Sequence, residues 1–195
     1  MKRLFDIIVS FFSLLFFTPI LLIVSVLVKA TSIGPVFYKQ VRVGKNNKDF
    51  KIFKFRTMRV DSDKFGLLTV SGRDPRITKI GYYLRKYKLD ELPQLINVFI
   101  GNMSLVGPRP EVRKYVDLYS LEQMAVFNVK PGITDLASIE FRNENEILSK
   151  QSNPDKYYID VIMPHKLEIN LKYIKERNLI KDFKVIFMTF IAILK

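Results

Sequence analysis

The sequence predicts an α+β fold, mostly helical, on three observations. Twenty-two consecutive residues, Ile7 to Val28, carry no charge. Between Val36 and Met58, two stretches of apolar–polar alternation flank a turn. Beyond residue 76, most of the clearly patterned segments repeat apolar side chains at helical spacing. The expected architecture is an N-terminal re-entrant membrane helix-break-helix over residues 1–30. A domain over 31–195 follows, with a small β-hairpin and amphipathic interfacial helices.

Composition bounds the partners. The chain has 195 residues, enough for one ordinary domain with a core of its own. Lys and Arg number 32 against 19 Asp and Glu, a formal net charge of +13, which calls for nucleic acid, an acidic lipid surface or a phosphorylated substrate. The absence of cysteine excludes disulfides, thiolate metal sites and a thiol nucleophile. His165 is the single histidine, so a site built on several imidazoles is excluded, and after Pro164 it reads as a helix-surface or core residue.

As helix, the charge-free run would measure about 33 Å, enough to cross a bilayer core. A cleavable signal is disfavoured: the run exceeds the usual apolar region of about 7–15 residues, Asp6 sits at its mouth and a basic segment follows. Pro19, at its middle, cannot donate to the Leu15 carbonyl and predicts a kink or break, with the Ser13 and Thr18 hydroxyls placed to satisfy freed backbone groups. Lys2 and Arg3 precede the run, and residues 29–59 hold nine basic side chains and one acid, Asp49. The positive-inside tendency would keep both flanks cytoplasmic. Each half, about 15–18 Å long, reaches the bilayer midplane only. The expectation is a re-entrant segment broken at Thr18–Pro19, with a kinked transmembrane anchor as the alternative.

After Pro35, "VFYKQVRVG" and "FKIFKFRTM" predict paired strands with Gly44 to Asn47 as the turn. Lys39, Lys51 and Lys54 fall on polar faces, as a solvated basic surface or as phosphate and lipid contacts. Residues 60–75 are polar and turn-rich and read as a loop. From Arg76 to Lys88, the spacing of Ile77, Ile80, Leu84 and Tyr87 predicts a helix whose last turn gathers Arg85, Lys86 and Lys88. A second helix is expected from Glu91 to about Ile100, ended by Gly101. Asn153–Pro154 starts another, continued past Pro164 by Leu167, Leu171 and Ile174. The last stretch sets Phe183, Ile186, Phe187, Phe190, Ile191 and Leu194 on one face, for a core or for a membrane interface. No Walker-type or dinucleotide glycine pattern occurs.

Within this basic chain "LDELPQL", Leu89 to Leu95, places two carboxylates side by side. If a helix begins after Leu89, Asp90 is its N-cap and Glu91 its first residue. Pro93 then lacks the N–H that an N-cap side chain commonly uses, and Asp90 keeps spare lone pairs. A helix N-terminus attracts anions, and Arg85, Lys86, Lys88 and a divalent cation such as Mg2+ would let a phosphate approach the acids. The plain reading of Asp–Glu is a well-capped helix start. In "GPRP", Gly107 to Pro110, Arg109 is either a stiffly held guanidinium for bidentate phosphate or carboxylate binding, or part of a rigid turn.

Several stretches together resemble the bacterial sugar transferase family, the small monotopic phosphoglycosyl transferases: "KRLFD", the apolar run broken at Thr18–Pro19, "FKIFKFRTM", "LRKYKLDELPQLINVFIGNMSLVGPRP", "KPGIT" and Arg142–Asn143. The likeness covers nearly the whole chain. It implies a polyprenyl-phosphate sugar-1-phosphate transferase at the bacterial cytoplasmic membrane, its active site facing the cytoplasm, working on a UDP-sugar with Mg2+ in the first step of a surface glycan pathway. By the resemblance Asp90 matches the nucleophile and a Mg2+ ligand, and Glu91 the other member of the dyad, for proton handling or metal placement. Arg85 and Arg109 match phosphate-binding positions, Arg142 a nucleotide or sugar-phosphate contact, and Lys54 is grouped with them. Residues 31–195 become the catalytic domain, with phospholipid as a further contact and no nucleic acid.

The chain departs from the family's usual pattern after "KPGIT", where Asp135, Ser138, Glu140 and Phe141 stand, a region suited to sugar selection. Glu144 and Glu146 read as solvated helix charges, with a part in that region as the alternative. Two competing functions remain open to the sequence. One is a non-catalytic membrane-tethered basic module for anionic lipid or nucleic acid, which has no use for adjacent acids among cations. The other is a transferase of the sugar alone, which would release UDP instead of UMP.

Overall fold

One helix, α1 (Lys2–Thr31), carries the whole apolar run in the computed structural model, which describes residues 1–62, 66 and 74–194, backbone alone at 194. Most of the loop expected over 60–75 lies outside the described residues. The expected helix-break-helix is corrected to a single helix with Pro19 inside it. The proline deprives only the Leu15 carbonyl of its amide, and Thr18 Oγ1 donates to the Leu14 carbonyl next to it (2.7 Å). Losing one bond in so long a helix bends it more readily than it ends it. Among the described residues, α1 alone is long and apolar enough to cross a membrane, with a mean hydropathy of 2.7 in an 18-residue stretch.

Both ends of α1 are fastened to the rest of the chain. Arg3 donates to the Val98 and Phe99 carbonyls (2.6 and 2.8 Å), and buried Asp6 accepts from Ser104 Oγ and the Leu105 amide (both 3.1 Å). At the other end Val24 and Val28 pack with Phe55 and Leu84, while Arg56 donates to the Ser32 and Ile33 carbonyls. Between these anchors Phe12, Leu15, Phe16, Leu22 and Ile23 are exposed.

The hairpin forms as expected. Strands β1 (Phe37–Val43) and β2 (Asp49–Phe55) pair antiparallel, from Phe37 opposite Phe55 to Val43 opposite Asp49. Asn46 and Asn47 take the left-handed backbone of the turn (φ 58° and 57°), which asparagine tolerates. Helix α2 (Lys79–Lys86) begins later than Arg76, because Thr78 caps it by accepting from the Gly81 amide (3.0 Å) and Arg76 instead pairs with Asp74. Leu89–Glu91 forms a separate 3-10 turn after Lys88, whose φ is 56°, and α3 (Gln94–Ile100) follows, ended by Gly101 at φ 98°. Asp90 is therefore not the N-cap of a long helix, since no side-chain cap bond forms there. Pro93 supplies no amide, so the chain takes one tight turn before regular helix starts.

Buried Asn97 ties α3 to the hairpin: its Oδ1 accepts from the Phe53 amide and its Nδ2 donates to the Lys51 carbonyl, both at 2.8 Å. Beyond α3, β3 (Ser104–Val106) and β4 (Gly132–Thr134) pair in parallel. Their flanking glycines meet so closely that a Cβ on Gly132 would lie 2.1 Å from the Gly107 amide nitrogen. Short helices α4 (Arg113–Val116), α5 (Leu136–Glu140) and α6 (Glu144–Ser149) lead to α7 (Pro154–Tyr157), which passes through a π-turn at Tyr158–Ile162 into α8 (Met163–Glu176). The final helix, α9 (Leu179–Leu194), divides its apolar residues. Val185 is buried and, of the apolar face expected here, Ile186 packs on the core whereas Phe183, Phe187, Phe190 and Ile191 are exposed.

Replacing Asn97 with leucine would leave the part-buried Phe53 amide and Lys51 carbonyl without their partner, each costing up to about 1–3 kcal/mol. Asn97→Leu is expected to lower the urea midpoint of the detergent-solubilised protein markedly, while Asn46→Gly in the exposed turn leaves it nearly unchanged.

Candidate active site

A cavity of about 490 Å³ opens between the hairpin, the 3-10 turn, the Gly107–Pro110 loop and helices α6 and α8. Its lining includes all six residues expected at a site: Lys54, Arg85, Asp90, Glu91, Arg109 and Arg142. Strand alternation explains why Lys54 arrives there while Lys39 and Lys51 stay exposed. Lys54 stands opposite Tyr38 on the pleat face that turns inward with Gln40 and Arg42.

The two acids are held differently. Glu91 is gripped on both sides, by Lys54 Nζ (2.8 Å) and by Arg109, whose Nη1 and Nη2 reach its two oxygens at 3.3 and 2.5 Å. Burial alone would push its carboxyl up, but Arg109 and Lys54 together hold it well below the usual range. The same pairing raises Arg109, and burial outweighs Glu91 in lowering Lys54. Asp90 is equally enclosed, yet its Oδ1 has no hydrogen-bond partner among the described residues. Burial, followed by the neighbouring Glu91 charge, pushes its carboxyl up to about 6 against the pull of Lys54, Lys88 and Arg85. The turn thus presents one committed anion and one carboxylate that is desolvated and unpaired. Such a pair can neutralise cations with one member and attack an electrophile, or bind a hard cation, with the other.

The arginine loop is rigid from behind. Gly107 donates to the Thr134 carbonyl (3.1 Å) and Gly132 to the Pro108 carbonyl (3.0 Å), which locks "GPRP" onto "PGIT". In front, the Val43 amide donates to the Glu111 carbonyl (2.9 Å) and Arg42 to the Pro110 carbonyl (3.1 Å). Of the four positions after "KPGIT", Ser138 and Phe141 line the cavity. Asp135 instead caps α5, accepting from the Ser138 amide and hydroxyl (2.7 and 2.9 Å). Glu140 pairs on the surface with His165 (3.0 Å), which stays off the cavity as its surface reading expected. Glu146 is likewise a surface charge paired with Lys150.

Sequence reasoning missed Glu111, Tyr158 and Lys166, which complete the cavity wall. Glu111 accepts from Arg42 (3.0 Å) and from the Tyr158 hydroxyl (2.5 Å). The available signal was the spacing of eight between Tyr158 and Lys166, which returns to one side of a helix.

The whole chain, residues 1–195, matches the family model for bacterial sugar transferases. It is 43% identical over 192 residues to a UDP-glucose:undecaprenyl-phosphate glucose-1-phosphate transferase of Klebsiella pneumoniae, covering 96% of this chain and 39% of that one. Identity is 38% over 196 residues to an Aeromonas hydrophila UDP-N-acetylgalactosamine-undecaprenyl-phosphate N-acetylgalactosaminephosphotransferase, covering 99% of this chain and 43% of the relative. A Bacillus subtilis protein named as the uncharacterized sugar transferase EpsL is 44% identical over 161 residues, 82% of this chain and 78% of its own. The chain spans about two fifths of the length of the first two relatives. With the family model matched from end to end, the chain belongs to the bacterial sugar transferase family.

Proposed function

We propose that this protein moves a sugar 1-phosphate from a UDP-sugar to polyprenyl phosphate through a covalent aspartyl phosphosugar, releasing UMP. The observation that carries this reading is the buried Asp90 carboxylate, its Oδ1 unpartnered, in a cavity whose lining also brings Lys54, Arg85, Lys88, Arg109 and Arg142. Support comes also from the Klebsiella and Aeromonas relatives, whose names specify UDP-glucose or UDP-N-acetylgalactosamine and undecaprenyl phosphate. In the first step an Asp90 oxygen attacks the sugar-linked phosphorus, an O–P bond forms, and the P–O–P bridge breaks with its electron pair leaving on UMP. In the second, an oxygen of polyprenyl phosphate attacks the same phosphorus and returns Asp90 as carboxylate. The acyl phosphate conserves the transfer potential that the new diphosphate requires.

The remaining residues act by charge and position. Arg85 and Arg142 are placed to draw the diphosphate into the cavity. Glu91, ionised between Lys54 and Arg109, suits the task of holding those two cations at the acid pair better than that of carrying a proton. Mg2+ fits this donor set. Among the described residues no cluster of three or more acidic or histidine ligands exists, so the ion would be held by Asp90 together with diphosphate oxygens and water. When bound, it supplies neutralisation of the diphosphate charge.

The membrane arrangement follows the same reading. A helix fastened at both ends to one body, with its middle apolar and exposed and a proline at its centre, suits a segment that enters the cytoplasmic leaflet and returns. The site would then lie at headgroup depth on the cytoplasmic side of a bacterial inner membrane, within reach of a lipid phosphate and a soluble nucleotide.

Incubation with a UDP-sugar, Mg2+ and polyprenyl phosphate should release UMP, and intact-mass analysis without acceptor should find a sugar-phosphate adduct. Asp90→Asn should abolish both, whereas UDP as the leaving nucleotide would rule the scheme out. Adduct formation should rise with pH along a limb centred near 6, because Asp90 is protonated and inert below that value. Glu91→Gln removes the charge that raises Asp90 and frees two cations to face it, so the limb of that slower variant should move to lower pH. Single cysteines placed at Lys2 and Lys45 should both react with a membrane-impermeant maleimide only from the cytoplasmic side, and labelling from opposite sides would establish a full span.

A further inference from the structure

The cavity holds a further acid, Glu144, whose task the transfer scheme leaves open. Glu144, at the start of α6, and Lys166, on α8, form an ion pair at 2.6 Å with side chains only 23% and 15% exposed, and both line the cavity. The partner of Glu144 is itself braced: Lys166 Nζ lies 5.7 Å from the centroid of the Tyr158 ring, whose hydroxyl is fixed on Glu111. A carboxylate on this wall is out of keeping with binding a diphosphate, which it repels. What an oriented carboxylate binds well is hydroxyl hydrogen, and a vicinal hydroxyl pair offers two such donors.

Position decides which hydroxyls. Glu144 contributes to the charge field that raises Arg109, the guanidinium that reaches into the acid pair. It shares the cavity with Arg109 and the acid pair, where the reacting phosphate would sit. The pyranose hangs directly on that phosphate, while the ribose lies a further phosphate away. Asn145, beside it in the lining, adds an amide able to donate and accept.

Resting on the reading that the donor is a UDP-sugar, we infer that Glu144, positioned by Lys166, accepts hydrogen bonds from the pyranose hydroxyls of the donor and selects among sugars. Lys166 is the positioning residue and Glu144 the one that touches substrate.

Equilibrium binding tests this apart from turnover, with full-length protein in the Asp90→Asn background so that no covalent step intervenes. UDP-glucose, UDP-galactose, UDP-N-acetylglucosamine, UDP-N-acetylgalactosamine and UMP are the probes. The affinity of the best UDP-sugar relative to UMP measures what the pyranose contributes. Glu144→Gln should shrink that ratio by about 10-fold or more, the size of a hydrogen bond to a charged group, and flatten the ranking among sugars while UMP binding stays constant. Lys166→Met should do the same in part, and Lys166→Arg should restore the ratio. An unchanged ratio in Glu144→Gln overturns the inference. An equal loss for UMP assigns Glu144 to the ribose and also overturns it. Failure of the transfer reading would show separately, as sugar-dependent binding to the native protein without UMP release.

Discussion

The site depends on Glu91 standing between Lys54 and Arg109. This one carboxylate joins the hairpin, the 3-10 turn and the Gly107–Pro110 loop, three pieces of chain that share no secondary structure. A buried pair of this kind is a poor source of stability, because desolvating the charges costs about what their attraction returns. Its value is positional. With Glu91 engaged by both cations, neither donates a hydrogen bond to Asp90 Oδ1, and burial together with the Glu91 charge raises that carboxyl against the remaining pull of Lys54, Lys88 and Arg85. Adjacent acids thus diverge in behaviour through their partners, not through their chemistry.

The hairpin was legible in the sequence because alternation over seven residues per strand and an asparagine-rich turn act locally. The end of α3 was legible for the same reason, since Gly101 stops the helix wherever it packs. The start of α3 was misread: the sequence offers Asp90 as a cap, but Pro93 displaces helix onset past it. The paired strands β3 and β4 have three residues each, too short for any periodicity, and their partnership is fixed by the close approach of Gly107 and Gly132. At the site, all six expected residues reach one cavity. The motifs named them, while the chemistry that separates Asp90 from Glu91 emerged only from the fold, since nothing in "LDEL" says which acid meets Lys54.

The apolar helix shows how local and global constraints trade. Pro19 removes one backbone bond, and the Thr18 hydroxyl supports the carbonyl one residue before the one left bare. Helical bonding continues through the proline, so of the kink or break expected there the break does not form. What the proline leaves is a soft point at the centre of a helix whose ends are pinned by Asp6 and Arg3 on one side and by Arg56, Val24 and Val28 on the other. A pinned helix with a soft centre is a different object from a free transmembrane segment, because its orientation is set by the body it is fastened to.

That fastening connects the membrane segment to the chemistry. Arg3 and Asp6 bind the end of α3 and the start of β3, while Asn97 binds α3 to β2, and β2 delivers Lys54 to Glu91. The line from the first turn of α1 to the acid pair runs through the Arg3 guanidinium on two backbone carbonyls, the buried Asp6 carboxylate, the buried Asn97 amide and the Lys54–Glu91 ion pair. A site built this way keeps a fixed height relative to the apolar face of α1. On the transfer reading, that constraint matters for a two-step exchange, since the aspartyl intermediate must be reached first by a soluble nucleotide and then by a phosphate anchored in lipid. Rigid coupling to α1 would give the second substrate a defined depth of approach, and the cavity's cations would hold either phosphate before the same carboxylate.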